Sequence, residues 1–186
     1  MEAKPDGRGR VGMFSLIAAE SAIFTIFLVA YLFYLGKSVS GPSPKEVLDP
    51  PVLYTVCLLL SSVTIYAGVR NLRQGQTIGF ASWWAATIAL GGAFLYGTAR
   101  EWRRLIFESG FTIGTNLFGT TYYALVGLHG VHVVAGLICL SVVMVFALLG
   151  AVQRQHAERA DVLSLYWHFV DVVWVVVFTV VYVIGR

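Results

Sequence analysis

The sequence is short of charge. Of its 186 residues only 12% are Asp, Glu, Lys or Arg and 58% are hydrophobic, about half the charged share of an ordinary soluble domain. So little water-facing surface leaves no room for a soluble domain, and the net charge of +3 gives no pointer to nucleic acid. Cysteine is nearly absent. Cys57 and Cys139 each stand singly in an apolar run without CxxC spacing, which argues against a disulfide or a thiolate metal site. Apart from Pro5, proline is confined: Pro42, Pro44, Pro50 and Pro51 crowd into one connector, where they stop one helix and set a sharp start for the next. No clear small-residue cleavage site follows the first apolar run, so that run is expected to stay as an anchor.

What fills the chain instead is apolar sequence in five runs, near residues 11–35, 52–69, 79–99, 116–149 and 162–184. Each can cross a hydrocarbon core of roughly 30 Å as a helix. The expected fold class is therefore all-α, an integral membrane bundle of five transmembrane helices, with residues 1–10 as an N-terminal tail and 11–186 as the membrane domain. The fourth run would measure about 51 Å as one helix, which implies tilt, projection from one face or a late start near Thr120. Tyr31, Tyr34, Trp83, Trp84, Tyr96 and Trp102 fall where interfacial aromatic belts belong. Gly91 and Gly92 mark a close helix contact, and Ser61, Ser62 and Thr64 read as small hydroxyls that let helices approach. Residues 100–108, with Arg100, Arg103 and Arg104 among Glu101 and Glu108, read as a solvated helix end or a docking surface. His156 reads as a surface residue and Asp161 as the acid that opens the last helix. Lys and Arg divide seven to six between the two faces, too evenly for the positive-inside rule to set an orientation.

A few polar residues lie where the hydrocarbon should be. Glu20 sits roughly 13 Å into the first run, where a carboxylate costs several kcal/mol unless it is protonated, paired or facing a water-lined pocket. Protonation or a hydrogen bond to a neighbouring polar group is expected, with Phe24, Phe27 and Tyr31 on the same side of the helix. His129 and His132 are neighbours at i and i+3, as are His168 and Asp171 near the end. The working expectation is that the last two helices pack through these polar residues, with Glu20 as a third element. Three intramembrane histidines also raise a metal or a haem-binding membrane cytochrome. Two axial haem ligands must face each other across a macrocycle, which an i, i+3 pair cannot do. A proton relay or transporter is a further alternative, although no repeat or broken helix is visible. A structural or accessory subunit needs the fewest assumptions.

The same residues carry a family likeness. Gly127 to Gly136, with His129-Gly130-Val131-His132-Val133 inside it, resembles the Gly-Phe-His-Gly-x-His-Val signature of subunit III of the haem-copper oxidases. Tyr166 to Trp174 is similar to that family's Tyr-Trp-His-Phe-Val-Asp-Val-Val-Trp in full. Ala19-Glu20 before an aromatic-rich helix matches its intramembrane glutamate, with Ser21 on the other side of the acid from the usual order. Residues 60–64 and Glu101-Trp102 are similar to its second-helix serines and third-helix acid. Leu128, Val126 and Tyr54 depart from the usual Phe, Thr and Asn. The likeness covers nearly all of the chain after residue 11, and the five helices correspond to the last five of seven in longer members, whose lipid cleft would here need helices from a partner. The resemblance implies an accessory subunit of a cytochrome c or quinol oxidase with no catalytic residue, metal or cofactor of its own. Haems and copper would lie in subunit I, alongside subunit II, a small subunit IV and bound phospholipid. It would support oxygen access and proton uptake, with Glu20 and Glu101 as proton-uptake or interface residues and Glu20, His129, His132, His168 and Asp171 as intramembrane structural ones. It also implies a bacterial-type inner membrane, a cytoplasmic N-terminus and Arg186 outside. An accessory protein of nitric oxide reductase is the related alternative.

Overall fold

The computed structural model describes residues 7–37 and 48–185. Five helices in it are long and apolar enough to cross a membrane. In chain order they are α1 (Arg8–Tyr34), α2 (Val52–Arg73), α3 (Thr77–Phe107), α4 (Leu117–Leu148) and α5 (Ala157–Phe178). A single 3-10 turn, Arg154–His156, precedes α5, and a π-helical turn, Thr179–Ile184, continues it. Pro42, Pro44, the first six residues and Arg186 lie outside the described residues.

The helices outrun the apolar runs that announce them. Apolar composition marks the hydrocarbon, whereas a helix ends only where its hydrogen bonds do, and Arg and Glu are good helix formers. So α3 carries Arg100 to Phe107 as two further turns. The fourth helix starts at Leu117, earlier than Thr120, because Asn116 caps it by accepting from Gly119 N–H at 2.8 Å. At 32 residues α4 is unbroken and spans about 48 Å. Gly75, at φ 78°, makes the left-handed turn that folds α3 back on α2.

Two seams set the bundle. The most extensive pairing is α2 with α3, and α5 packs on α1, α2 and α4. Three indole N–H groups tie the seams by finding acceptors away from water, whereas Trp102 Nε1 is buried with no partner among the described residues. Trp84 donates to Leu140 O on α4 at 3.0 Å, Trp167 to Ser61 Oγ on α2 at 2.8 Å, and Trp174 to Thr55 Oγ1 on α2 at 3.1 Å. Trp167 is fully buried. Its ring lies so close to two backbones that a Cβ on Gly91 would come within 2.9 Å of it and one on Gly136 within 2.8 Å.

At the end of the bundle where α1 begins, Asp161 accepts from Arg73 of α2 at 2.6 Å and from Arg10 of α1. This corrects two readings of that end. The last helix starts at Ala157, and Asp161, a full turn inside it, serves as the meeting point of two guanidinium groups. His156 is half-buried and caps, its Nδ1 accepting from Gln153 N–H at 3.1 Å.

Of the mid-span glycine pair only Gly91 is a contact, because a Cβ on Gly92 would meet nothing within 4 Å. Gly91→Ala and Gly136→Ala should each lower stability by about 1–3 kcal/mol through overpacking against Trp167. Gly92→Ala should melt like the parent. Thermal unfolding in detergent micelles checks this, and equal midpoints for all three variants would contradict the packing.

Candidate functional site

Glu20 is the thirteenth residue of α1, about 18 Å from its start and 21 Å from its end. Its Oε2 lies 3.0 Å from His132 Nε2 on α4, and the two side chains keep 22% and 13% of their exposure. His132 Nδ1 is 2.8 Å from Leu128 O. A carbonyl only accepts, so Nδ1 carries a proton. One further proton then sits between Nε2 and Oε2, either on a carboxylic acid donating to a neutral ring or on an imidazolium donating to a carboxylate. Both states leave the pair neutral overall, which is the form that hydrocarbon tolerates. Tyr166 OH on α5 donates to the His132 carbonyl at 3.1 Å, and the Phe24 ring packs 4.9 Å from the imidazole.

The second polar centre joins α2 to α5. Ser62 Oγ bonds both Asp171 and His168 Nδ1, the latter at 2.9 Å. A hydroxyl has one proton. With Ser62 donating to Asp171 Oδ2, His168 Nδ1–H donates to Ser62, giving a chain from His168 through Ser62 to Asp171. Asp171 is buried, and its Oδ1 has no partner among the described residues.

His129 is set apart from both centres. It is 1% exposed, with neither ring nitrogen bonded among the described residues. Trp174 lies at a centroid distance of 4.9 Å, Phe94 at 5.7 Å and Phe24 at 6.4 Å. The ring serves as one more aromatic body in the core.

At the far end, Tyr182 OH reaches Glu101 Oε1 at 3.0 Å and Oε2 at 3.2 Å, and Tyr122 OH at 3.2 Å. With Tyr182 donating to the carboxyl and Tyr122 donating to Tyr182, one chain links α3, α4 and α5. The π-helical turn that carries Tyr182 widens the backbone there, a feature found often near functional positions. Nothing in the sequence singles out Tyr182, and Ser62 reads as packing only.

The expectation that α4 and α5 join through their own polar side chains is corrected. Among the described residues no side-chain bond connects His129 or His132 with His168 or Asp171. Trp167 against Gly136 and Trp174 against His129 fill that seam with ring surface, so the polar groups turn outward to α1 and α2. His132 is committed to the α1 side and His168 to the α2 side. No group of three or more His, Cys, Asp and Glu side chains in an arrangement able to hold a metal occurs among the described residues.

A family model described as Cytochrome c oxidase subunit III matches residues 7–186. The chain belongs to that family. It is 33% identical over 177 residues to the cytochrome c oxidase subunit 3 of Bacillus sp. (strain PS3), covering 94% of this chain and 85% of that one. It is 34% identical to the cytochrome bo(3) ubiquinol oxidase subunit 3 of Pseudomonas putida, with coverage of 94% and 85%. With the cytochrome c oxidase subunit 3 of Synechocystis sp. the identity is 37%, over 93% of this chain and 74% of the relative. As a subunit III it is a multi-pass membrane protein and an accessory subunit of a respiratory terminal oxidase, working in a complex with other oxidase subunits.

In this subunit III the Ser62 bridge has a measurable consequence. Ser62→Ala leaves a buried carboxyl oxygen and an imidazole nitrogen without their partner, which should cost about 1–3 kcal/mol. Ser62→Thr keeps the hydroxyl and should recover most of it. Unfolding of the purified chain in bicelles tests the pair, and an alanine variant as stable as the parent would show the bridge to be incidental.

Proposed function

We propose that this subunit III acts without a cofactor of its own, bracing the catalytic subunit I that holds the haems and copper, in company with subunit II and a small subunit IV, and supporting oxygen access and proton uptake there. The observation that carries this reading is the Glu20–His132 pair. It sits at mid-membrane on the α1 and α4 side of the bundle and is not fully covered by its own chain. A polar pair that keeps exposure in hydrocarbon is more stable against protein than against lipid chains. Helix α1 packs only on α4 and α5 to any extent and leaves Phe14, Ile26, Val29 and Phe33 outward. That side therefore suits contact with further helices of the oxidase. The remaining intramembrane polar groups, Asp171 and His168 with Ser62, are engaged in joining helices of this chain, which fits a bracing subunit. Glu101, engaged with Tyr182 near the opposite end, is the second acid assigned to interface or proton uptake. The placement that accompanies this reading is a bacterial-type inner membrane with the N-terminus cytoplasmic and the C-terminus outside.

Two outcomes follow. Purified in mild detergent from its own membranes, the chain should travel with a larger haem-bearing subunit, while the chain expressed alone should give no Soret band after dithionite reduction. A Soret band belonging to this chain would overturn the cofactor-free reading. Glu20→Gln keeps a hydrogen bond to His132 and should leave co-purification intact. Glu20→Lys places a cation beside His132 at a cost of roughly 2.5–3.5 kcal/mol for a charge at the membrane centre. It should cut the co-purifying fraction severalfold, and normal assembly of the lysine variant would contradict the placement of this face.

A further inference from the structure

The Ser62 hydroxyl gives its single proton to Asp171, so His168 meets it as the donor through Nδ1–H. A neutral ring that donates at Nδ1 is bare at Nε2. That second nitrogen has no partner among the described residues and is not enclosed by the chain, and His168 as a whole is half-buried. His168 is the twelfth residue of α5 and Ser62 the eleventh of α2, about 17 Å and 15 Å along those helices. The bare acceptor therefore lies near the middle of the membrane, where a lone pair without a donor is costly.

Around that nitrogen the bundle forms a trough. Helices α1 and α2 both pack on α5 but make little contact with one another, so the strip of α5 between them is uncovered. His168, Val172 and Val176 stand on it at successive turns, and both valines are exposed. Along the α1 wall, Ser21, Thr25 and Leu28 line a groove of about 230 Å³ together with Val172 and Val176. The Ser21 and Thr25 hydroxyls donate to carbonyls of their own helix, each at 2.7 Å, which leaves Nε2 to be met from outside the chain. Small hydroxyl residues on a wall let another helix backbone come close. An acyl chain would fill the trough by shape and has no N–H or O–H to offer the imidazole. A helix with a donor side chain satisfies both.

We propose that this trough seats a transmembrane helix of another oxidase subunit, with a serine, threonine, tyrosine or tryptophan of that helix donating to His168 Nε2. The seat lies on the α2 side of α1, away from the Glu20–His132 pair on its α4 side. It rests on the membership of the chain in an oxidase complex and not on the bracing face, so normal assembly of the Glu20→Lys variant would leave it standing.

The test uses the intact complex purified in mild detergent, with a photoreactive benzoylphenylalanine placed at Val172. Irradiation should join that position to one other subunit, at a transmembrane peptide that carries a hydroxyl or indole side chain, read by mass spectrometry. His168→Asn puts an amide N–H where Nδ1–H stood, keeps the bond to Ser62 and has nothing at the position of Nε2. It should melt like the parent and lower the crosslink yield about threefold or more, the order of one hydrogen bond between membrane helices. His168→Gln carries an amide oxygen out to the Nε2 position and gives up the Ser62 bond, so it should melt lower yet retain more crosslink than the asparagine variant. Equal yields from parent and His168→Asn would overturn the seat. So would a Val172 crosslink found only on lipid, on detergent or on a second copy of this chain. Should the asparagine variant fail to accumulate, the nitrogen NMR resonance of Nε2 decides. It should move upfield from the chain alone to the complex, and an unchanged position would overturn the proposal.

Discussion

Inside hydrocarbon there is no water to accept a proton or donate one, so a polar atom carried into the membrane is costly without a partner in protein. Much of this bundle follows from that constraint. Glu20 finds His132, His168 and Asp171 find Ser62, and the indole N–H groups of Trp84, Trp167 and Trp174 find a carbonyl and two hydroxyls on neighbouring helices. Apart from the Trp84 bond, which joins the consecutive helices α3 and α4, each of these crosses between helices that the chain order alone does not pair. Association of helices in lipid lacks the hydrophobic drive that works in water and relies on close packing plus such bonds. The two act together at Trp167, whose ring needs Gly91 and Gly136 to be bare and whose N–H needs Ser61.

How far the sequence reveals this depends on whether a feature is local. Five spans are legible because length and apolarity are properties of a stretch. The mid-helix position of Glu20 is legible for the same reason, and the Gly91 contact comes from a short-range rule that marks Gly92 as well, while the Asn116 cap that starts α4 before Thr120 is not legible from apolar length. Helix ends such as Phe107 are not legible, since charged residues carry a helix beyond the membrane without changing its hydrogen bonding. The partners are the larger loss. Helical periodicity tells which residues share a face and says nothing of what that face meets, so His132 and Asp171 look like partners while bonding to α1 and α2 instead. Ser62 has no local mark separating it from Ser61, although one bridges an acid and an imidazole and the other receives an indole. Asp161 reads as a helix-opening acid because its two arginines are far away in sequence, at Arg10 and Arg73.

The division of polar groups suits an accessory subunit of an oxidase. A chain that held a redox centre would aim its histidines inward at a shared point. Here His132 and His168 turn to opposite flanks, and His129 is enclosed by aromatic rings. In this chain His132 of the first motif and His168 of the second both serve helix joining.

The central claim is that Glu20, His132, His168 and Asp171 join α1 to α4 and α2 to α5, and that the two histidines and Asp171 do not bond to one another across α4 and α5. A pair of double-mutant cycles in bicelles measures it directly. Alanine at Glu20 and His132 should show coupling of roughly 0.5–2 kcal/mol, in the range found for bonds between membrane helices. Alanine at His132 and Asp171 should be additive within about 0.5 kcal/mol. Additivity in the first cycle together with strong coupling in the second would contradict the account.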